Sequence, residues 1–61
     1  MIRKVYWIEN TNALEDALEK ITNTFPCFID RELVEMNFSE IGIFARVEDI
    51  IGIENILAPL V

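Results

Sequence analysis

The feature that most constrains this chain is a run of four bulky residues near its start, Val5-Tyr6-Trp7-Ile8. β-Branched and aromatic side chains of this kind favour a β-strand. Because successive side chains of a strand point to opposite sides, Val5 and Trp7 share one face while Tyr6 and Ile8 share the other. Both faces of the strand are apolar, so each face needs other side chains packed against it. The rest of the chain has to supply that cover.

The length of 61 residues predicts a single domain over residues 1–61 with one small core. Chains of this size bury only about 60% of their unfolded surface, and disulfides, metals or association usually add stability. A single cysteine cannot form an internal disulfide, and a chain without histidine is poorly equipped to bind zinc. A hydrophobic content of 52% therefore predicts association with another chain, and no cofactor is expected.

The net charge of −6 arises from eleven acidic and five basic residues. So acidic a protein is repelled by phosphate backbones and by anionic membranes, whereas a basic protein attracts it. The apolar run at the N-terminus is too short for a signal peptide or a membrane span. We therefore expect a cytoplasmic protein that contacts neither nucleic acid nor membrane directly.

The clearest helical pattern covers residues 13–24. Asn12 followed by Glu15 fits a capping box, with Asn in place of the usual Ser or Thr. Pro26 disfavours helical geometry at the residue before it and so ends the helix. One apolar stripe recurs at helical spacing along this segment: Leu14, Ala17, Leu18 and Ile21.

The second half of the chain predicts a β-hairpin followed by a helix. Residues 28–37 have two mixed faces, typical of an edge strand, and residues 37–40 supply turn formers. Residues 41–47 alternate cleanly between apolar and other side chains. Residues 48–58 show helical periodicity, although Gly52 weakens it by about 1 kcal/mol relative to Ala.

The element order β-α-β-β-α has few compact solutions. A helix that joins two strands by a right-handed crossover makes those strands parallel, and a tight hairpin makes the third strand antiparallel to the second. Inserting the third strand between the others gives an α+β fold: a three-stranded sheet of order 1-3-2 with two helices on one face. This arrangement resembles the ferredoxin-like fold without its final strand. The missing strand would leave one edge of the first strand unpaired.

The helical stripes match a covered face that contains Val5 and Trp7. The opposite face is then expected to carry an apolar patch larger than small monomers usually expose. The residues predicted to bind a partner there are Tyr6, Ile8, Val34, Met36 and Phe44. Self-association into a homodimer or higher oligomer, through this face or through the edge of the first strand, is the leading prediction.

The side chains that could carry chemistry favour a non-catalytic protein. Cys27 lies between apolar aromatic neighbours and is expected to be a core thiol of raised pKa. No calcium loop and no glycine-rich phosphate loop is present. The helical acids are expected to form a solvated acidic surface: Glu15, Asp16, Glu19, Glu48, Asp49 and Glu54.

Three other functions remain open at this point. Tyr6 and Phe44 resemble the aromatic residues that stack on bases in RNA-recognition domains, although the negative charge opposes this. Size, acidity and the lack of catalytic groups also fit an acidic inhibitor of a host nucleic-acid-binding protein, as in phage or mobile-element anti-CRISPR and anti-restriction proteins. The last alternative is a small oligomeric enzyme or ligand carrier whose pocket forms between subunits.

Overall fold

The chain forms three strands and two helices in the order that its patterns predict. In the computed structural model, which describes residues 1–61, short 3-10 turns at Val47–Asp49 and Ala58–Leu60 flank the second helix. The elements are β1 (Ile2–Glu9), α1 (Asn12–Thr24), β2 (Cys27–Glu35), β3 (Phe38–Ala45) and α2 (Ile50–Leu57). The predicted α+β class is therefore confirmed.

The three strands form one sheet with β3 at its centre. β1 and β2 each pair antiparallel to β3, so the strand order is β1-β3-β2, as predicted. β1 and β2 consequently run parallel to each other without touching, and each has one free edge. β2 also carries a bulge between Leu33 and Glu35, whereas β1 pairs with β3 in continuous register.

α1 begins one residue earlier than the sequence pattern suggests. Thr11, in extended conformation, is the N-cap, and its Oγ1 accepts a hydrogen bond of 3.2 Å from the backbone N–H of Leu14. The predicted capping box of Asn12 and Glu15 is wrong. Asn12 is already the first helical residue, and the side chain of Glu15 binds Arg31 rather than the backbone of the cap. The end agrees with prediction: Phe25 is extended and Pro26 comes next.

Both helices pack on the same face of the sheet, and the core lies between the two layers. Each helix contributes the residues that recur at helical spacing, and β3 contributes every second residue. The core residues are Ile8, Leu14, Ala17, Ile21, Ile41, Ile43, Ala45, Ile50, Ile53 and Leu57. Neither helix has the length and apolar character required to cross a bilayer.

Gly52 lies at the contact between α2 and the end of α1. A Cβ at this position would stand 2.6 Å from Cζ of Phe25, closer than atoms of real side chains approach each other. The glycine that interrupts the helical pattern therefore makes room for an aromatic ring that seals the end of the core.

The predicted faces of β1 are reversed in the structure. Ile8 is 1% exposed and belongs to the core, whereas Trp7 is 55% exposed on the other face. The contacts of Asn10, just beyond the end of the strand, favour this orientation. Asn10 has the same parity as Ile8, and its side chain accepts hydrogen bonds from Ser39 and Arg31 beneath the helices. This anchor turns Ile8 inward, and strand alternation then turns Trp7 outward.

The β2–β3 hairpin extends beyond the helices, and its turn is shorter than predicted. The turn consists of Met36 and Asn37, and β3 begins at Phe38. Leu33 has the orientation of a core residue but is exposed, because no helix extends over it. The sequence pattern also places Val47 in the core, at the end of the third strand. It lies instead in the exposed turn before α2.

Candidate functional site

The sheet face that carries no helix, here called the open face, is built from alternate residues of all three strands. Residues that face each other across an antiparallel pair share one side of the sheet. The open face therefore consists of four rows across β1, β3 and β2: Arg3-Phe44-Phe28, Val5-Gly42-Asp30, Trp7-Glu40-Glu32 and Glu9-Phe38-Glu35.

Large apolar side chains of the open face remain accessible to solvent. Phe28 is 71% and Trp7 55% exposed, and Val5, Phe38 and Phe44 are each more than a third exposed. Isolated apolar residues are common on protein surfaces, but a cluster of this kind on one face is typical of a binding surface. Aromatic residues are in addition enriched at protein–protein interfaces.

An ion pair crosses the open face above its central glycine. Nη2 of Arg3, on β1, lies 3.2 Å from Oδ1 of Asp30, on β2, and the guanidinium carbon stands 5.6 Å from the centroid of the Phe44 ring. A Cβ on Gly42 would approach both charged groups to 2.5 Å. The absence of a side chain at Gly42 thus lets one arginine span all three strands.

The charges of the open face are predominantly negative. One basic residue, Arg3, stands against five acidic ones, which gives 1 − 5 = −4. Glu32 and Glu40 face each other directly, and such like-charged pairs are destabilising. Trp7 lies opposite Glu40 in the same row. The face combines an aromatic surface with carboxylates that lack enough local cations to neutralise them.

Of the five residues predicted to bind a partner, only Phe44 lies on the open face. Tyr6 points towards the helices and donates a hydrogen bond of 2.9 Å to Oε2 of Glu54, and Ile8 is buried. Val34 sits in the β2 bulge and Met36 in the hairpin turn. The predicted patch is therefore wrong for Tyr6 and Ile8, and it is scattered for Val34 and Met36.

The residues that the sequence reasoning missed are Val5, Trp7 and Phe28. Bulk alone places Val5 and Trp7 in the core. The sequence does hold a signal for the correct choice: Arg3 and Glu9 have the same parity as Val5 and Trp7, and charged residues at both ends of a strand face favour its exposure. Phe28 can be assigned once its facing residue Phe44 is placed.

The predicted acidic surface is only partly free. Three of its carboxylates have internal partners: Glu15 binds Arg31 at 2.6 Å, Glu54 accepts from Tyr6, and the buried Asp49 binds Arg46 at 2.8 Å. The other three, Asp16, Glu19 and Glu48, are exposed. The helical acids are therefore divided between structural contacts and solvent.

The ionisable groups with perturbed pKa values belong to structural contacts. Burial, together with the hydrogen bond to Glu54 and its charge, raises the pKa of Tyr6 to about 12. Burial and the nearby Asp49 raise the pKa of the half-buried Cys27 thiol, which favours its protonated form. The hydrogen bond to Asp49 raises the pKa of Arg46. No three metal-binding side chains converge anywhere in the structure.

A polar network beneath the helices joins four segments of the chain. Arg31 on β2 donates from Nε to Oγ of Ser39 (3.3 Å), from Nη1 to Glu15 and from Nη2 to Oδ1 of Asn10 (2.9 Å). Ser39, which is 2% exposed, donates in turn to Asn10 at 2.6 Å. The backbone N–H of Asn10 also binds the carbonyl oxygen of Asn37. The network fixes the helical layer to the hairpin.

One groove of about 570 Å³ lies between α1, the end of α2 and the C-terminal turn. Its lining mixes small, apolar and charged residues: Ala13, Asp16, Ala17, Lys20, Asn55, Ile56, Pro59 and Leu60. Small-molecule sites usually enclose most of their ligand, whereas this groove is shallow and open to solvent.

Comparison of the chain with protein-family models, with curated proteins and with solved structures gives no match.

Proposed function

We propose that this protein is a non-catalytic interaction module that binds a basic partner protein through its open face. The observation that carries the proposal is the combination found there: exposed Trp7 and Phe28 on a surface with a net charge of −4. Aromatic side chains supply the apolar area that a stable contact needs, and the carboxylates select a partner of opposite charge.

Electrostatics favours a basic partner over face-to-face contact with a second copy. Stacking two open faces would bring two charges of −4 together around the unneutralised pair Glu32 and Glu40. A lysine- or arginine-bearing surface would instead relieve that repulsion and could place a cation over the Trp7 ring. The open face therefore fits a different, basic protein better than it fits itself.

A second candidate shares the same surface. An inhibitor of a nucleic-acid-binding protein would present carboxylates to a basic groove, and the row Trp7-Glu40-Glu32 offers an aromatic residue beside two acids. The helical acids support this candidate less, because half of the predicted set bind internal partners. Competition between nucleic acid and this protein for the captured partner separates an inhibitor from a module that binds elsewhere on its partner.

The test is affinity capture from the native host with open-face variants, followed by calorimetry with the purified partner. Trp7→Ala and Phe28→Ala are expected to weaken binding by about tenfold or more, since exposed aromatic residues are typical interface hot spots. Binding should also weaken as salt is added, because the carboxylates contribute through screened electrostatics.

Leu33→Ala is the matched control, because Leu33 is equally exposed and apolar but lies on the other side of the sheet. It should leave the affinity unchanged. Capture that survives both aromatic substitutions, or that is lost equally in the control, would show that the open face is not the binding surface.

A further inference from the structure

The two free edges of the sheet differ in how well they can accept another strand. β2 is interrupted by its bulge and has a net charge of 1 − 3 = −2, whereas β1 has no bulge, no proline and a net charge of 2 − 1 = +1. Bulges and repelling charges are devices that protect edge strands from pairing. β1 has no bulge, and its three charges differ in sign between its two ends, so they do not repel a second β1 strand that runs in the opposite direction.

The charges of β1 are arranged so that the strand is complementary to itself when reversed. Arg3 and Lys4 lie at its start and Glu9 lies at its end. In an antiparallel pair of two β1 strands centred on Tyr6, Arg3 of each copy faces Glu9 of the other, and Val5 faces Trp7. Facing residues must lie on the same side of the sheet, and Arg3, Val5, Trp7 and Glu9 all lie on the open face.

α2 adds an apolar contact beside this edge. The hydrogen bond from Tyr6 to Glu54 places α2 on the β1 side of the helical layer. Residues three and four apart share a helix face, so Ile51 lies on the same side as Glu54. Ile51 is 73% exposed, and nothing in the single chain covers it. Val47 and Ala58 extend the same exposed strip.

We infer that two copies of this chain associate through β1, forming a continuous six-stranded sheet in which the Ile51 strips of the two α2 helices pack together. This inference goes beyond the proposed function, because it uses the β1 edge and α2, and the open-face side chains that meet across the edge, Val5 and Trp7, still present their outward surface. A twofold axis normal to the sheet relates the copies, so each contact occurs twice, as in other isologous dimers.

The first test measures molecular mass by sedimentation over micromolar to millimolar concentrations. The protein is expected to reach twice its chain mass of 7.1 kDa and no more. Ile51→Glu should raise the dissociation constant of the dimer by about tenfold or more, because it places two charges at the centre of the helical contact. Phe28→Glu is the control and should leave the dimer intact.

A charge exchange tests the strand pairing itself. On the open face, Glu9→Arg makes both ends of β1 basic and Arg3→Glu makes both ends acidic, so each variant alone should dimerise about tenfold more weakly. In a mixture of the two variants, the residues at positions 3 and 9 that face each other again have opposite charges. A heterodimer should therefore form with restored affinity. Circular dichroism establishes that each variant is folded.

The inference is overturned if the wild-type protein is monomeric throughout the concentration range or grows beyond a dimer. It is also overturned if Ile51→Glu dimerises as tightly as wild type, if Phe28→Glu abolishes the dimer, or if the mixed charge variants do not associate preferentially. These outcomes are independent of partner capture through the open face, so failure of one proposal does not imply failure of the other.

Discussion

Gly52 allows the ring of Phe25 to close one end of the core, and this contact outweighs the preference of a helix for alanine. A Cβ there would meet two ring atoms of Phe25, at 2.6 and 3.1 Å. Overpacking of this kind typically costs about 1–3 kcal/mol, whereas replacing glycine in a helix interior gains about 1 kcal/mol. We therefore expect Gly52→Ala to destabilise the protein by about 1 kcal/mol in urea denaturation.

The effect of Gly52→Ala on stability should change sign when the Phe25 ring is removed. In a Phe25→Ala background, Gly52→Ala is expected to stabilise by about 1 kcal/mol, because only the helix preference remains. A double-mutant cycle measures this coupling. Equal effects in both backgrounds would mean that Phe25 does not restrict position 52.

Tyr6 is the only tyrosine, so the absorbance of tyrosinate reports on it alone. Its pKa of about 12 in the folded protein lies above the ordinary value of 10, so burial and the contact with Glu54 favour the neutral phenol. The resulting stabilisation is complete below pH 10 and is lost as the pH rises through 12. We expect a spectrophotometric midpoint near 12.

Glu54→Gln keeps an acceptor for the Tyr6 hydroxyl but removes the charge. The midpoint should therefore move down towards 10 without reaching it, since burial still raises the pKa. Trp7 fluorescence shows whether the protein remains folded during the titration. A wild-type midpoint near 10 in folded protein would contradict both the burial of the Tyr6 hydroxyl and its hydrogen bond to Glu54.

At the scale of elements, Arg31 has a larger role than Arg3, although each forms an ion pair. Arg31 binds three segments beneath the helices, including the buried Ser39, whereas Arg3 binds one exposed partner. Exposed pairs contribute about 0–1 kcal/mol, and loss of a partner for buried polar groups costs about 1–3 kcal/mol. Arg31→Met should thus destabilise by about 2 kcal/mol.

Arg3→Met provides the comparison, because it removes the same charge from the other edge strand. We expect it to cost less than about 1 kcal/mol in the same urea measurement. If the two substitutions cost the same, the network around Arg31 does not hold the helical layer to the hairpin.

The elements themselves could be predicted because their causes are local. Helical spacing, Pro26 and the alternation of residues 41–47 act within a few residues of each other, and each led to an element of the observed type. The strand order is set by connectivity rules that hold for most folds. The observed ends of the elements differ from the predicted ends by a few residues where caps and turns compete, as at Thr11 and at Met36-Asn37.

The faces of β1 could not be read from bulk alone, because that choice depends on partners distant in sequence. Tyr6 faces inward because α2 supplies an acceptor for its hydroxyl, and Ile8 does so because Asn10 binds under the helices. Reversal of this one strand places two predicted binding residues under the helices and two predicted core residues on the open face. The predicted face of Phe44 agrees with the structure, because Phe44 lies on the central strand, whose alternation is unambiguous.

In the whole molecule, the open face of the sheet and its β1 edge are suited to different binding partners. Helices pack on one side alone, so the remaining side is an aromatic and acidic surface suited to a basic protein. The β1 edge and Ile51 are suited to a second copy of the chain. The two surfaces meet along β1, where the proposed edge pairing would place Val5 of each copy beside Trp7 of the other and leave the outward surface of both side chains accessible.

The bulge at Leu33 and Glu35 has a consequence for growth of the sheet. In the language of polymer chemistry, a monomer with one reactive end can give dimers but no chains, whereas a monomer with two gives fibres. With the bulge disrupting β2, the β1 pairing proposed above would make this chain the monofunctional kind. A variant with β2 straightened by deletion of one residue there would offer a second edge for pairing, and the proposed association would then continue beyond two copies into a filament.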